Sequence, residues 1–121
     1  MICNQCPRKC NTDRESILGF CKSPKRFRVS RAALHFWEEP CISGENGSGT
    51  VFFSGCNLRF VFCQNYEISR ENKGVEISDE KLVSIFEKLI SQGAHNINLV
   101  NPSHYACRLA SVLSKWKSPV P

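Results

Sequence analysis

Apolar residues are spread unevenly along this chain, and their spacing changes character near residue 49. Residues 1–31 are polar, cysteine-rich and weakly periodic, so a bound metal would have to do much of their ordering. Residues 32–48 predict a short helical or irregular piece that closes in a turn rich in Gly, Ser and Asn. The pattern then sharpens. Thr50-Val51-Phe52-Phe53 is apolar without alternation, as expected of a strand buried on both faces. Ser78 is placed to cap a helix. Leu82, Ile85, Phe86, Leu89 and Ile90 fall on one helical face, and Gly93 stands where a helix stops. Asn96–Val100 predicts a second strand. Asn101-Pro102 predicts the start of another helix, with Ala106, Leu109, Ala110, Leu113 and Trp116 on its inner face.

The order β-α-β-α implies parallel strands joined by a crossover. Two such units leave open sheet edges and an uncovered face. The fold class expected is therefore α/β: the N-terminal βαβα portion of a partial TIM-like (β/α) barrel, preceded by a Cys-rich metal-binding segment. The expected division is 1–48 for the Cys-rich extension and 49–121 for the first two βα units of a truncated barrel.

Composition adds chemistry to this outline. The chain has 121 residues and eight cysteines, and its net charge is +5. No stretch approaches the roughly 18 apolar residues of a membrane span. The opening MICNQCPRKC lacks the apolar core of a secretory signal, so the expected location is the cytoplasm. Thiols stay reduced there, and metal binding becomes a better reading of the cysteines than a disulfide framework. Residues 1–31 hold eight Lys/Arg against two acidic residues, so the positive charge surrounds the N-terminal cysteines. A nucleic-acid surface would be one use for that charge. Compensation of metal-bound thiolates is the better one, because no aromatic stacking pattern accompanies it.

Cys3, Cys6, Cys10 and Cys21 have intervening spacings of two, three and ten residues. Four thiolates in a polar segment suit a tetrahedral zinc site and equally a second iron–sulfur cluster. Such a metal would either fold the segment or relay electrons to a main cluster. Further along, SGCNLRFVFCQNY follows the first predicted strand, in the loop position where barrels carry their active sites.

That segment resembles the cluster loop of the radical S-adenosylmethionine enzymes, C-x-x-x-C-x-aromatic-C. Cys56, Phe62 and Cys63 fill three of the four defining places, and Phe60 stands at the middle cysteine. The run from Ala32 to Ser69, the later GAHNINLVNPSHY and the opening C-x-x-C-x-x-x-C are similar to one branch, the proteins like pyruvate formate-lyase activating enzyme. The resemblance implies a [4Fe-4S] cluster bound by Cys56 and Cys63 and S-adenosylmethionine chelated to its free iron. It also implies a deoxyadenosyl radical made by reductive cleavage of that cofactor. Phe62 would lie beside the adenine, and Asn98 and Asn101, at the end of the second strand, would contact the cofactor. The implied partners are a protein substrate and a reductant such as flavodoxin or ferredoxin, with no membrane and no nucleic acid.

Phe60 offers iron no ligand, so an ordinary cubane would be short of one sulfur. Cys41 or Cys107 are the candidates to replace it. With the later barrel strands also absent, this chain is expected to be an inactive fragment or degenerate copy of an active parent. The alternative is a non-catalytic zinc-binding module that contacts nucleic acid or protein. The GENGSG run reads as a turn, because it precedes a strand and lacks a Lys-Ser/Thr ending. His35, His95 and His104 each stand alone and read as ordinary hydrogen-bonded or surface histidines. Glu38 and Glu39 have no assignable role.

Overall fold

The computed structural model describes residues 2–36, 41, 44–58 and 74–121. Phe60, Phe62, Cys63 and the Glu38-Glu39 pair lie outside the described residues. A two-stranded ribbon opens the chain, with β1 (Ile2–Cys3) antiparallel to β2 (Thr12–Asp13). The main sheet then has four strands. In sequence order they are β3 (Phe27–His35), β4 (Ser48–Phe53), β5 (Val75–Ile77) and β6 (Ile97–Val100). Across the sheet their order is β5-β3-β4-β6. Helix α1 (Asp79–Ser91) precedes β6, and α2 (Ala106–Lys115) follows it after a 3-10 turn at Ser103–Tyr105.

β4 and β6 are the two strands expected from the apolar runs, and they pair in parallel, with Val51 opposite Leu99. β3 was not expected. Residues 32–35 extend a nine-residue strand instead of forming a helical or irregular piece. This strand pairs antiparallel with β4 on one side and β5 on the other, so the sheet is mixed. Its pairing crosses the expected boundary at residues 48 and 49. The local cause is alternation: Phe27 and Val29 are buried while Arg28 and Ser30 are half-exposed. A bulge between Val29 and Arg31 then shifts the phase. The shift lets Ala32 and Leu34 continue opposite Val51 and Gly49. The Ala-Ala-Leu run suits a helix on propensity alone, and pairing with β4 overrides it.

One face of the sheet carries both helices. Phe27, Val29, Val51 and Phe53 pack against Leu82, Phe86 and Leu89 of α1 and against Leu109 and Val112 of α2. Phe27, Phe53 and Tyr105 form a ring triad with centroids 5.3–5.9 Å apart. Such contacts add to plain area burial. The Tyr105 hydroxyl accepts from the Arg28 N–H at 3.1 Å, which satisfies its polar end inside the core. Arg108 joins the helices through Asp79 at 2.7 Å.

Helix α1 begins and ends as its sequence dictates. The Ser78 side chain accepts from the Lys81 N–H. At the other end Gly93 (φ 102°) bonds back to the Ile90 carbonyl, a conformation that favours glycine. The second helix departs from expectation. Asn101 is no cap; it sits in the left-handed region at φ 57°, and the α-helix begins only at Ala106. The inner face is Leu109 and Val112 with Trp116, while Leu113 is 42% exposed. Trp116 instead stacks near Phe86, at 5.5 Å. Among the described residues, no helix is long and apolar enough to cross a membrane.

Truncation separates the two leucines of α2. Leu109→Ala should cost about 2–5 kcal/mol, the range for a buried leucine, whereas Leu113→Ala should stay within roughly 0.5–1 kcal/mol. Urea denaturation of the two variants measures the difference. Equal losses would return Leu113 to the core face.

Candidate metal centre

Two short turns bring the N-terminal cysteines together. After β1 the chain bends so that the Lys9 N–H reaches the Cys6 carbonyl and the Asn11 N–H reaches the Cys3 carbonyl. Lys9 and Asn11 take left-handed backbone angles to make this bend. After β2 a second turn carries Cys21 back. Gly19 packs so closely on Cys10 that an added Cβ would stand 2.9 Å from its Sγ. The Phe20 N–H points at that same sulfur from 3.4 Å, and the Gln5 amide approaches the Cys3 sulfur at 3.8 Å. Both contacts hold a sulfur in a fixed position at the cavity.

Cys3, Cys6, Cys10 and Cys21 line one cavity of about 10 Å³, together with Thr12 and His104. The predicted quartet is therefore gathered on one small space. As they stand, no three His, Cys, Asp or Glu side chains among the described residues are arranged to hold an ion. Binding would have to draw the thiols inward.

The charge around this cavity is informative. Arg14, which also lines it, is 7% exposed. Its guanidinium donates to the carbonyls of Ser23, His104 and Pro24 at 2.6–2.9 Å and lies over the Tyr105 ring. Among the described residues, none of these contacts is a carboxylate. A buried cation held only by carbonyl dipoles is costly unless negative charge lies close by. The four cysteine sulfurs line the same cavity.

His104 is the residue that the sequence alone undervalued. It is 1% exposed. Its Nε2 lies 2.7 Å from the Ser54 carbonyl, which can only accept, so Nε2 carries the ring proton. Burial pushes its pKa down to about 4, and the Arg14 charge works in the same direction, against the raising effect of the Ser54 carbonyl. The ring is neutral, and Nδ1 is a buried lone pair with no hydrogen-bond partner among the described residues. The available signal was positional: His104 follows the second strand by a few residues, where parallel sheets gather their functional groups.

The second predicted site begins at the C-terminal end of β4. Cys56 is half-buried, and its sulfur accepts the Leu58 N–H at 3.3 Å. Asn101, from the end of neighbouring β6, donates its side-chain amide to the Gly55 carbonyl at 2.9 Å. Asn101 thus reaches the Cys56 loop, as a support for its backbone. Asn98 is half-buried within β6, opposite Thr50. By strand alternation it faces away from Leu99 and the core. Cys41 and Cys107 are both exposed. The Arg8 side chain joins the two sites, donating to the Asn57 carbonyl at 2.7 Å with its guanidinium over the Phe20 ring.

No family model matches the chain, and no solved structure matches it. A 68-residue stretch is 40% identical to an uncharacterized protein of Methanocaldococcus jannaschii. The match covers 56% of this chain but 19% of that protein, so the chain spans about a fifth of the relative's length.

Proposed function

We propose that this chain is a portion of a radical S-adenosylmethionine-type iron–sulfur protein, similar to the pyruvate formate-lyase activating branch, in which Phe60 has removed the radical chemistry. One observation carries the reading. Cys56 and Asn101 lie just beyond the C-terminal ends of adjacent parallel strands and are tied by the Asn101–Gly55 bond. Parallel sheets place their reactive groups there. In a parent with all three cysteines, a cluster held by them would supply the electron for cleaving the carbon–sulfur bond of S-adenosylmethionine. Phe62 is assigned to the adenine of that cofactor, and Asn98 and Asn101 to contact with it. A protein substrate and a flavodoxin- or ferredoxin-like reductant belong to this parent activity.

The residues of this chain do not fit an ordinary cubane. Cys56 and Cys63 offer two thiolates, and the phenyl ring at position 60 has no donor atom. What these residues still do is structural: Asn101 and the Leu58 N–H hold the loop and its Cys56 sulfur in place.

A second role, binding zinc without catalysis, is favoured by the small cavity among Cys3, Cys6, Cys10 and Cys21. The two roles use different cysteines and can coexist. Contact with nucleic acid has less support. Lys25 pairs with Glu15, Arg28 with Glu76 and Arg108 with Asp79, while Arg8 and Arg14 are engaged by carbonyls and rings.

Anaerobic reconstitution with iron and sulfide tests the first reading. The natural chain should stay well below the iron content of a full cubane, and Phe60→Cys should gain iron toward about four per chain, with a brown charge-transfer band. Equal loading of the two would show that position 60 is not a lost ligand. Asn101→Gly tests the loop support, because glycine accepts the left-handed backbone and deletes only the amide. Alkylation of Cys56, followed by mass spectrometry, should then speed up several-fold while overall stability changes by no more than about 1 kcal/mol. An unchanged alkylation rate would remove Asn101 from the site.

A further inference from the structure

The cavity among the N-terminal cysteines contains more than sulfur. Two buried polar atoms on residues that line it have no hydrogen-bond partner among the described residues: Thr12 Oγ1 and His104 Nδ1. Buried polar groups are nearly always satisfied, so each orphan asks for an explanation. Both orphans meet one if an ion occupies the cavity. An imidazole lone pair is a metal donor, and a hydroxyl can donate to a metal-bound thiolate.

We propose that His104 Nδ1 is a ligand of a single zinc ion held with three of Cys3, Cys6, Cys10 and Cys21, making the centre a mixed thiolate–imidazole site. This rests on the reading of the N-terminal cysteines as a metal site, and it goes beyond it in metal, nuclearity and ligand. Three arguments converge. The first is size. The cavity measures about 10 Å³, roughly one water-sized sphere. One ion fits such a space once the thiols close in.

The second is orientation. A metal-bound histidine ordinarily donates its other ring N–H to a carbonyl or carboxylate, which fixes the tautomer. His104 already does so, through Nε2 to Ser54 at 2.7 Å. Its free nitrogen is pre-selected before any ion arrives. The third is charge. Zinc(II) with three thiolates and a neutral imidazole carries a net −1. The buried Arg14 guanidinium matches it with +1. Arg8 lines the same cavity with a second positive charge, so the surroundings suit a thiolate-rich zinc centre.

His104 then touches both sites. Nδ1 serves the N-terminal ion while Nε2 holds the carbonyl of Ser54, two residues before Cys56. Loading the ion stiffens the cysteine loop through one imidazole ring.

The test uses the full chain carrying Cys56→Ser and Cys63→Ser, so that all bound metal belongs to the N-terminal site. Zinc analysis should give about one ion per chain, as one tetrahedral site holds. Zinc-edge X-ray absorption should show three sulfurs near ~2.3 Å and one nitrogen near ~2.0–2.1 Å, with the outer-shell scattering of an imidazole ring. His104→Ala should remove the nitrogen shell and weaken zinc at least tenfold in competition with a chelator. The spectrum of the His104-containing chain decides the matter even if that variant folds poorly. A four-sulfur shell would overturn the ligation by His104 and leave the metal site standing. A brown iron–sulfur chromophore at the N-terminal site would overturn the single-ion centre. Binding of no metal would overturn both the site and its ligand. None of these outcomes touches position 60, which is judged by iron loading at Cys56.

Discussion

The carbonyl of Ser54 is the point on which the rest of the molecule closes. It stands one residue past β4, fully buried, and accepts both the His104 ring N–H at 2.7 Å and the Ser23 hydroxyl at 3.1 Å. The N–H of the same residue donates to Arg28 in β3. One peptide neighbourhood thus ties together the cysteine-rich opening, two strands of the sheet and the turn after β6. Buried backbone groups cannot be left unmade. The segment before β3 is therefore fixed in place by the sheet's own need for partners.

Arg14 works from the other side of the same junction. Its three carbonyl acceptors belong to Ser23, Pro24 and His104, so a single planar guanidinium spans the N-terminal segment and the turn after β6. A lysine could not make this fork of contacts. The charge is nevertheless buried, and carbonyl dipoles only partly replace water around it. The same cation lines the cavity of the four cysteines, so the residue that locks the segment also borders their sulfurs. Of the eight basic residues in 1–31, Arg14 is the buried one among the described residues, and it has this structural role.

What was legible in the sequence followed from short-range physics. Helix α1 was readable because its periodic apolar face, its Ser78 cap and its Gly93 stop agree with each other. The unalternated β4 was readable because both its faces are buried. β3 was obscured by its bulge, which breaks the period that would reveal it, and by alanines with the opposite local preference. Asn101 read as a helix cap because Asn-Pro usually is one; its amide instead serves a loop 46 residues earlier, a partner no local pattern encodes. The grouping of Cys3, Cys6, Cys10 and Cys21 was visible as spacing. The share of His104 was not, since it lies far along the chain and meets them only when the sheet closes.

On the proposed reading of position 60, these placements explain how the start of the Cys56 loop keeps its position without a ligand there. The Cys56 loop takes its position from bonds to its backbone: Asn101 to Gly55, Arg8 to Asn57 and His104 to Ser54. None of those donors is a cluster ligand. On that reading, a phenyl ring in place of sulfur at position 60 removes coordination without removing any of the three. The N-terminal cysteines are different, because their turns are short, their strands are two residues each and their apolar burial is slight. With the proposed ion bound, the ion and the fold are the same problem there, and a site of that kind tolerates the loss of a ligand far less well.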